Sequence, residues 1–505
     1  MDAPMKAQRA RKPVAPAAAP DGGYGWFIVL ACFLVFGLTF GVIKAFGVFY
    51  VEIHQYFDTT ATAASWITSI AVATIHVAAP IAAALSARYS HRAVVMTGGL
   101  LCSLGMLTGA YVSNLMELYI TVGFWNGFGY ALTWTPTVTM LGSYFDKKRP
   151  LANALASTGE CVLTFLLTPL FQLLIDTFSW RGAMLLLGGL QLNLCVCGML
   201  LRPLKITREV NHFTEGKDKE GGLVLELCPM MDGDLEQNKP NALEDRTTDT
   251  GPEEIPNINA KAQAKAKAKD WRIRLQMKVL PYVDYTLITN ARFFVYSMFG
   301  VFAALGFFAP SLFLVPYARS QGIEEYQAAA LISISAALDL TGRLFSGWIA
   351  NLRLMETVQQ LIITVILQGT VLLFCPLASS FSELAVFSTV YGLAYGATVS
   401  IHITVLAEVV GVERLGSALG FFMLIRSSGG LLGPPIAGLL IDRMSDYGTG
   451  FLMAGVALIV SALFLLLLHH MNRRSQSSSP KAGDLPVDAE QGQMLASVPD
   501  VLEKK

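Results

Sequence analysis

Apolar stretches long enough to cross a bilayer alternate with short polar segments along most of the chain. A membrane-spanning helix needs about 20 apolar residues, and the pattern predicts six such helices, a long polar segment, and six more. The twelve predicted spans, numbered in chain order, lie near residues 26–50, 63–86, 93–112, 117–142, 151–175, 182–201, 292–318, 326–350, 357–378, 382–409, 415–441 and 448–469. The predicted fold class is an all-α polytopic membrane protein.

The two halves of the chain share a weak internal repeat. LANALA at residues 151–156 begins span 5 after Arg149 and Pro150, and LGSALG at residues 415–420 begins span 11 directly after Arg414. Parallel repeats of six spans are typical of the major facilitator fold. We therefore predict two six-helix halves, residues 26–201 and 291–470. The remaining segments are a cytoplasmic N-terminal segment (1–25), a disordered cytoplasmic loop (202–290) and a disordered cytoplasmic tail (471–505).

Composition and charge support a membrane protein. The chain is 53% hydrophobic and only 15% charged, whereas a soluble chain of this length carries more charge. Basic residues concentrate on one set of connections, which the positive-inside rule assigns to the cytoplasm together with both termini. That set is Lys6, Arg9, Arg11, Lys12, Arg88, Arg92, Lys147, Lys148, Arg149, Arg202, Lys205, Arg208, Arg353, Arg414, Arg473 and Arg474.

Several classes of chemistry have no signature in the chain. The seven cysteines show no metal or disulfide spacing, and no P-loop or dinucleotide-binding glycine pattern is present. The net charge of zero gives no indication of a nucleic-acid partner. We therefore predict neither an enzyme, nor a cofactor, nor a metal site.

Span 8 carries two opposite charges in its apolar middle, Asp339 and Arg343. Their i,i+4 spacing places them on one helix face, where they can pair. Each intramembrane charge costs about 2.5–3.5 kcal/mol on insertion scales, so such residues normally face a cavity or a partner. The pair is either a structural salt bridge or part of a substrate or proton site.

Five further polar residues lie within predicted spans. Lys44 falls in the outer third of span 1, where its amine either reaches the membrane interface or faces a cavity and attracts a carboxylate. Packing of span 5 on span 8 and of span 2 on span 11 would bring Glu160 near the span 8 pair and His76 near Arg426. Either group is structural, binds substrate, or forms a gate between the halves. Tyr395 on span 10 is a candidate for the cavity wall.

Two longer motifs resemble those of a known family. DGGYGW at residues 21–26 is similar to the first signature of the monocarboxylate transporters, and YFDKKRPLANA at 144–154 is similar to their second. RPL at 202–204 and LLGPP in span 11 also fit. The chain is identified as a member of this family (solute carrier family 16, within the major facilitator superfamily). It is nearest the branch that contains monocarboxylate transporters five to seven.

The resemblance implies roles for particular residues. Lys44 matches the lysine that accepts the proton and then the carboxylate, Asp339 the aspartate that relays the proton, and Arg343 the arginine that binds the carboxylate. Tyr395 matches a cavity aromatic. The conformational motif corresponds to Asp21, Gly22, Trp26 and Arg149.

Two residues depart from the lactate-type pattern. Arg426 stands where those members have a glutamate, and Glu160 is not a lactate-type feature. An added cation in one half and an added anion in the other suggest a different or zwitterionic substrate.

The expected function is plasma-membrane transport of small organic monocarboxylates of the lactate, pyruvate or ketone-body type, coupled to protons and driven by alternating access. One alternative is a proton-independent carrier of an amino-acid-like solute such as taurine or creatine, and a remote one is a sensor or scaffold that no longer transports. Besides substrate, proton and bilayer, the resemblance implies for some members a single-span glycoprotein ancillary subunit. The absence of an Asn-x-Ser/Thr sequon is compatible with that need.

Overall fold

The computed structural model describes residues 21–145, 148–202, 286–352, 355–411 and 414–477. Most of the predicted N-terminal segment, central loop and C-terminal tail lies outside these residues. Within them the chain is helical throughout, with no strand. Apart from their first and last turns, helices pair their backbone hydrogen-bonding groups within one segment, as a chain in hydrocarbon requires.

The N-terminal half contains six spans. Span 1 is built from Gly25–Phe36, the π-helical turn Gly37–Gly41, Val42–Ala45 and Gly47–Tyr56. Spans 2 and 3 are Ala61–Arg88 and His91–Gly109. Span 4 comprises Leu115–Leu118, the π-helical turn Tyr119–Trp125 and Asn126–Tyr144. Spans 5 and 6 run through Arg149–Gln191 and Asn193–Leu200, and they are separated by a kink at Ser179, where φ is 61° and ψ is 169°.

The C-terminal half repeats this number of spans. A short helix, Thr286–Thr289, precedes span 7, which is Ala291–Phe307 followed by Ala309–Ser320. Spans 8 and 9 are Glu325–Leu352 and Thr357–Phe374, the latter extended by the 3₁₀ turn Cys375–Leu377. Spans 10, 11 and 12 are Phe381–Val410, Leu415–Met444 and Gly448–Ser477. Twelve spans in two halves are thus present among the described residues, as predicted.

By length and composition alone, ten stretches of the described chain could cross a membrane. One of them, Leu151–Leu200, contains both span 5 and span 6. Span 4 is not among the ten; its longest helix, Asn126–Tyr144, is rich in Gly, Thr and Tyr and is therefore less apolar than the others.

Capping side chains set where several spans begin. The Thr60 hydroxyl accepts the Ala63 N–H before span 2. Ser380 and Glu383 form a reciprocal capping box at the start of span 10. These contacts satisfy backbone donors that have no partner inside the helix.

Span 5 packs against span 8, and span 2 packs against span 11, in each case across the two halves. Both predicted pairings are confirmed. Within the C-terminal half, span 8 packs along span 10. The two cross-half pairs bring the polar residues of spans 5 and 8, and of spans 2 and 11, to one central cavity.

Candidate substrate site in the central cavity

A cavity of about 640 Å³ lies between the halves and is lined by eight spans, four from each half. We call the end of the bundle at which span 1 begins and span 6 ends, marked by Asp21 and Arg202, the linker face, and the opposite end the far face. The cavity wall extends toward the linker face as far as Arg149 on span 5 and Leu419 on span 11. This volume is in the range of sites for small-molecule ligands.

The pair predicted on span 8 is formed and buried. Arg343 Nε donates to Asp339 Oδ1 at 2.8 Å, and Arg343 Nη2 donates to Asp339 Oδ2 at 3.1 Å. The Asp339 side chain is only 2% exposed, and that of Arg343 7%. Such a two-pronged contact fixes the guanidinium plane as well as its charge.

Glu160 joins this pair from span 5, as the predicted packing required. Its Oε2 accepts from Arg343 Nη2 at 2.9 Å. Arg343 Nη1 also donates to the Ser157 carbonyl at 3.3 Å. All three nitrogens of the Arg343 guanidinium therefore have acceptors.

Lys44 completes the group from span 1. Its Nζ lies 2.7 Å from Glu160 Oε1 and 2.8 Å from Asp339 Oδ2, and 4.2 Å from the centre of the Tyr395 ring. Of the two positions that the sequence left open for Lys44, the structure shows the cavity and not the membrane interface. We call Lys44, Glu160, Asp339 and Arg343 the charge cluster; its formal charges sum to zero.

Local helix geometry supports this position of Lys44. The π-helical turn Gly37–Gly41 ends three residues before it. A π turn inserts an extra residue into the helix and rotates the residues after it about the helix axis. The same turn packs against span 5, because a Cβ on Gly41 would lie 3.2 Å from the Glu160 carbonyl. Span 1 thus lies close enough to span 5 for Lys44 to reach Glu160.

The cavity contains a third cation, Arg426 of span 11. Its Cζ lies 5.4 Å from the centre of the Phe307 ring, a cation–π distance. No carboxylate among the described residues forms an ion pair with it. His76 and His402 line the same cavity, and each Nδ1 is 2.7 Å from a carbonyl of its own helix. The predicted proximity of His76 and Arg426 is confirmed to the extent that both line this cavity.

The first signature contacts the second at the linker face. Asp21 Oδ1 accepts the backbone N–H of Lys148 at 3.2 Å, and Gly22 lies in the bend before span 1. The Trp26 ring packs edge-on against Phe145, with ring centres 5.4 Å apart. The two motifs that carry the resemblance therefore form one contact surface.

Arg149 of the second signature caps the end of span 4. Its Nε donates to the Phe145 carbonyl at 3.1 Å, and its Nη2 donates to the Gly142 carbonyl at 2.8 Å. A cation there satisfies carbonyls that have no partner inside the helix. The Arg149 side chain also lines the linker-face end of the cavity. It therefore connects the second signature to the cavity.

At the far face, side chains from both halves join. Arg319 at the end of span 7 forms an ion pair with Glu52 of span 1 at 3.3 Å and another with Glu325 of span 8. Gln172 Nε2 of span 5 donates to Glu325 Oε2 at 3.2 Å and to Asp176 at 2.8 Å. This network links spans 1, 5, 7 and 8 across the two halves.

A second far-face link connects spans 2 and 11. The Asp442 carboxylate accepts the backbone N–H of Ala61 at 2.7 Å and that of Thr62 at 2.9 Å, and it bonds the Thr62 hydroxyl. It thereby caps the N-terminus of span 2 from the other half, where a negative charge is favourable. Sequence reasoning missed these far-face contacts, because most of the residues lie at the ends of spans and their partners are on other spans.

Among the residues that the structure describes, no group of three or more His, Cys, Asp or Glu side chains has metal-binding geometry.

The Major Facilitator Superfamily profile matches residues 29–367 and 355–499. Human monocarboxylate transporter 2 is 36% identical over 457 residues, which cover 90% of this chain and 87% of the relative. Human monocarboxylate transporter 7 is 34% identical over 493 residues, covering 95% and 92%. The chain belongs to the monocarboxylate transporter family of the major facilitator superfamily.

Other relatives extend this family assignment. Chicken (Gallus gallus) monocarboxylate transporter 3 is 33% identical, with 92% of this chain and 82% of that one covered. The nucleoside transporter NupG has a similar structure, with a TM-score of 0.61, 12% identity, and coverage of 89% of this chain and 99% of that one; it supports the fold alone. Monocarboxylate transporter 7 belongs to the branch expected from the motifs, although transporter 2 is equally similar.

Proposed function

We propose that this family member is a plasma-membrane secondary transporter of small organic monocarboxylates and works by alternating access. Close relatives are named for monocarboxylate transport, and the cavity between the halves holds three cations that a carboxylate can bind, Lys44, Arg343 and Arg426. The linker face carries Arg88, Arg92, Lys148 and Arg202. By the positive-inside rule it is the cytoplasmic side, with both termini there as well.

The observation that carries the proposal is the neutrality of the charge cluster. Lys44 and Arg343 are both paired with Glu160 and Asp339, so a carboxylate that bound alone would add an uncompensated negative charge. Burying such a charge costs several kcal/mol. A proton that binds Glu160 or Asp339 releases one cation and keeps the site neutral. Substrate and proton are therefore transported together.

The contacts of the charge cluster suggest a role for each of its residues. Lys44 is the cation released first, because it has two ion-pair contacts and no helix neighbour that holds it. Arg343 then holds the carboxylate with its planar donors. Asp339 bonds both cations and carries the proton. Glu160, which lies on span 5, transmits the movement of the released cation to that span.

Uptake measurements test this function directly. We expect cells that express the protein to take up labelled lactate and 3-hydroxybutyrate faster at acidic than at neutral external pH. The reason is that a cation is released to bind the carboxylate only when a proton has bound the cluster. Asp339→Asn, which cannot lose a proton, should abolish the pH dependence at equal surface abundance. Uptake indifferent to pH in the wild type would contradict proton coupling.

A second candidate function is proton-independent transport of a zwitterionic solute such as taurine or creatine. Arg426 favours it, since this cation has no ion-pair partner among the described residues and needs no proton to bind a carboxylate. Glu160 argues against it, because both carboxylate oxygens already accept from Lys44 and Arg343, and an ammonium group would have to displace them. Saturable taurine uptake without pH dependence would favour this candidate.

The far-face links join the two halves at that end of the bundle, so loss of one link should open the cavity to that side. Asp442→Asn should raise the labelling rate of Ser311→Cys, a cavity position, by an external membrane-impermeant thiol reagent. The increase should be about tenfold, because hydrogen bonds to a charged group contribute about 1.5–3 kcal/mol. Asp446→Asn is the matched control, since Asp446 bonds Gly448 in its own turn. Equal labelling in both variants would show that Asp442 does not hold the far face shut.

A single-span glycoprotein partner also belongs to the proposal. We expect surface abundance to rise when such a subunit is co-expressed, as in those family members that need one. Surface labelling with and without the subunit tests this, and equal abundance would contradict it.

A further inference from the structure

Arg426 differs from the other cavity cations in its contacts. Lys44 and Arg343 each contact two carboxylates at 3.1 Å or less. Arg426 stacks on Phe307, and no carboxylate of the described chain pairs with it. A guanidinium has five N–H donors and no acceptor, so an oxygen acceptor on a bound molecule can pair with it.

The charge balance of the transport cycle leaves Arg426 unmatched. The charge cluster is neutral, and a monocarboxylate that binds together with one proton adds no net charge. Arg426 would thus stay a solitary cation throughout the cycle, which is costly within a membrane. A further acceptor on the substrate would provide its partner.

The arrangement of the rings separates Arg426 from the charge cluster. Lys44 Nζ lies over the Tyr395 ring at 4.2 Å. The Tyr395 and Phe307 ring centres are 5.5 Å apart, and Arg426 lies over Phe307. The two cations thus flank an aromatic pair. The two ends of a short carbon chain that lies along the rings can therefore contact both cations.

The two neighbouring histidines do not offer a bound substrate an N–H donor. His402 Nδ1 is bonded to the Val399 carbonyl and His76 Nδ1 to the Val72 carbonyl. A carbonyl accepts only from an N–H, so the neutral ring carries a lone pair on Nε2. In their neutral form these two histidines offer no N–H to a bound oxygen acceptor, whereas the Arg426 guanidinium does.

We propose that Arg426 binds a second oxygen acceptor of the substrate. The preferred substrates are then short-chain carboxylates with a keto, hydroxyl or second carboxylate oxygen several carbons from the first. This inference rests on the proposed function, because the charge cluster must hold the first carboxylate. It makes Arg426 the residue that determines specificity among carboxylates of equal length.

Three five-carbon acids test the proposal: pentanoate with one acceptor group, 4-oxopentanoate with a neutral second acceptor, and glutarate with an anionic one. Affinities are measured by ligand-induced thermal stabilisation of the purified full-length protein. We expect 4-oxopentanoate or glutarate to bind at least about tenfold more tightly than pentanoate, the value of one hydrogen bond to a charged group. The better of the two identifies whether the second acceptor is neutral or anionic.

Arg426→Met should reduce this preference to within about threefold, because the acid with the second acceptor loses more affinity than pentanoate. Arg443→Met is the matched control, because Arg443 lies exposed on the same helix, and it should keep the wild-type preference. If Arg426→Met does not fold, Arg426→Lys is measured in its place and should lower the preference, since lysine lacks the planar fork.

Three results would overturn the inference: no preference in the wild type, a full preference in the Arg426 variant, or equal losses for all three acids. The same acids are then offered to the protein in proteoliposomes. Binding preference without transport of any acid would leave the role of Arg426 intact and contradict the proposed function.

Discussion

Replacing Arg343 by glutamine is expected to lower carboxylate uptake by about 100-fold or more. The substitution leaves Glu160 and Asp339 buried against Lys44 alone, and breaking a buried pair by removing one partner costs about 3–5 kcal/mol. It also removes the planar donor that holds the substrate carboxylate. Both uptake and the amount of protein at the cell surface should fall, so the two are measured together.

The double variant Arg343→Gln with Glu160→Gln separates these two effects. It restores a neutral cluster, so the surface amount should recover toward the wild type, as coupled partners predict. Uptake should remain low, because the carboxylate-binding guanidinium is still missing. Recovery of uptake together with surface amount would mean that Arg343 is a structural residue only.

Gly396→Ala is expected to have the second large effect. A Cβ at Gly396 would lie 2.0 Å from the Asp339 carbonyl oxygen and 2.8 Å from Asp339 Oδ1, so span 10 must move away from span 8. Overpacking of this kind costs about 1–3 kcal/mol, and here it displaces the carboxylate that bonds both cations. We expect a lower melting temperature of the purified protein and a severe loss of uptake.

Gly420→Ala is the control for this prediction. Gly420 also lies within a span, but a Cβ there meets nothing within 4 Å. Alanine is the better helix former by about 1 kcal/mol, so this variant should be as stable as the wild type or more so. An equal loss in both variants would show that the close approach of spans 8 and 10 does not position Asp339.

Much of the fold could be predicted from sequence because each span is a local pattern. Twelve apolar stretches, the six-span repeat and the i,i+4 spacing of Asp339 and Arg343 are all visible in short windows. The placement of Glu160 beside that pair needed one additional rule, the packing of span 5 on span 8. The predicted spans and the predicted packing of span 5 on span 8 both agree with the structure.

Contacts between distant spans could not be predicted in the same way. Lys44 bonds Asp339, 295 residues away, and the π turn that helps to orient it has no clear sequence signal. The Asp442 cap on span 2 joins residues 381 positions apart. The absence of an ion-pair partner for Arg426 among the described residues is also a property of its surroundings; the sequence suggested its proximity to His76 and a changed substrate, but not this absence.

The most direct test of proton-coupled transport is the proton flux that accompanies carboxylate uptake in proteoliposomes with a trapped pH-sensitive dye. The neutral charge cluster predicts that protons and carboxylates move in equal numbers, and that an imposed membrane potential does not change the rate. Carboxylate uptake without proton movement, at a rate that depends on the membrane potential, would contradict it. In that case Arg426, and not the charge cluster, would be the residue that neutralises the substrate.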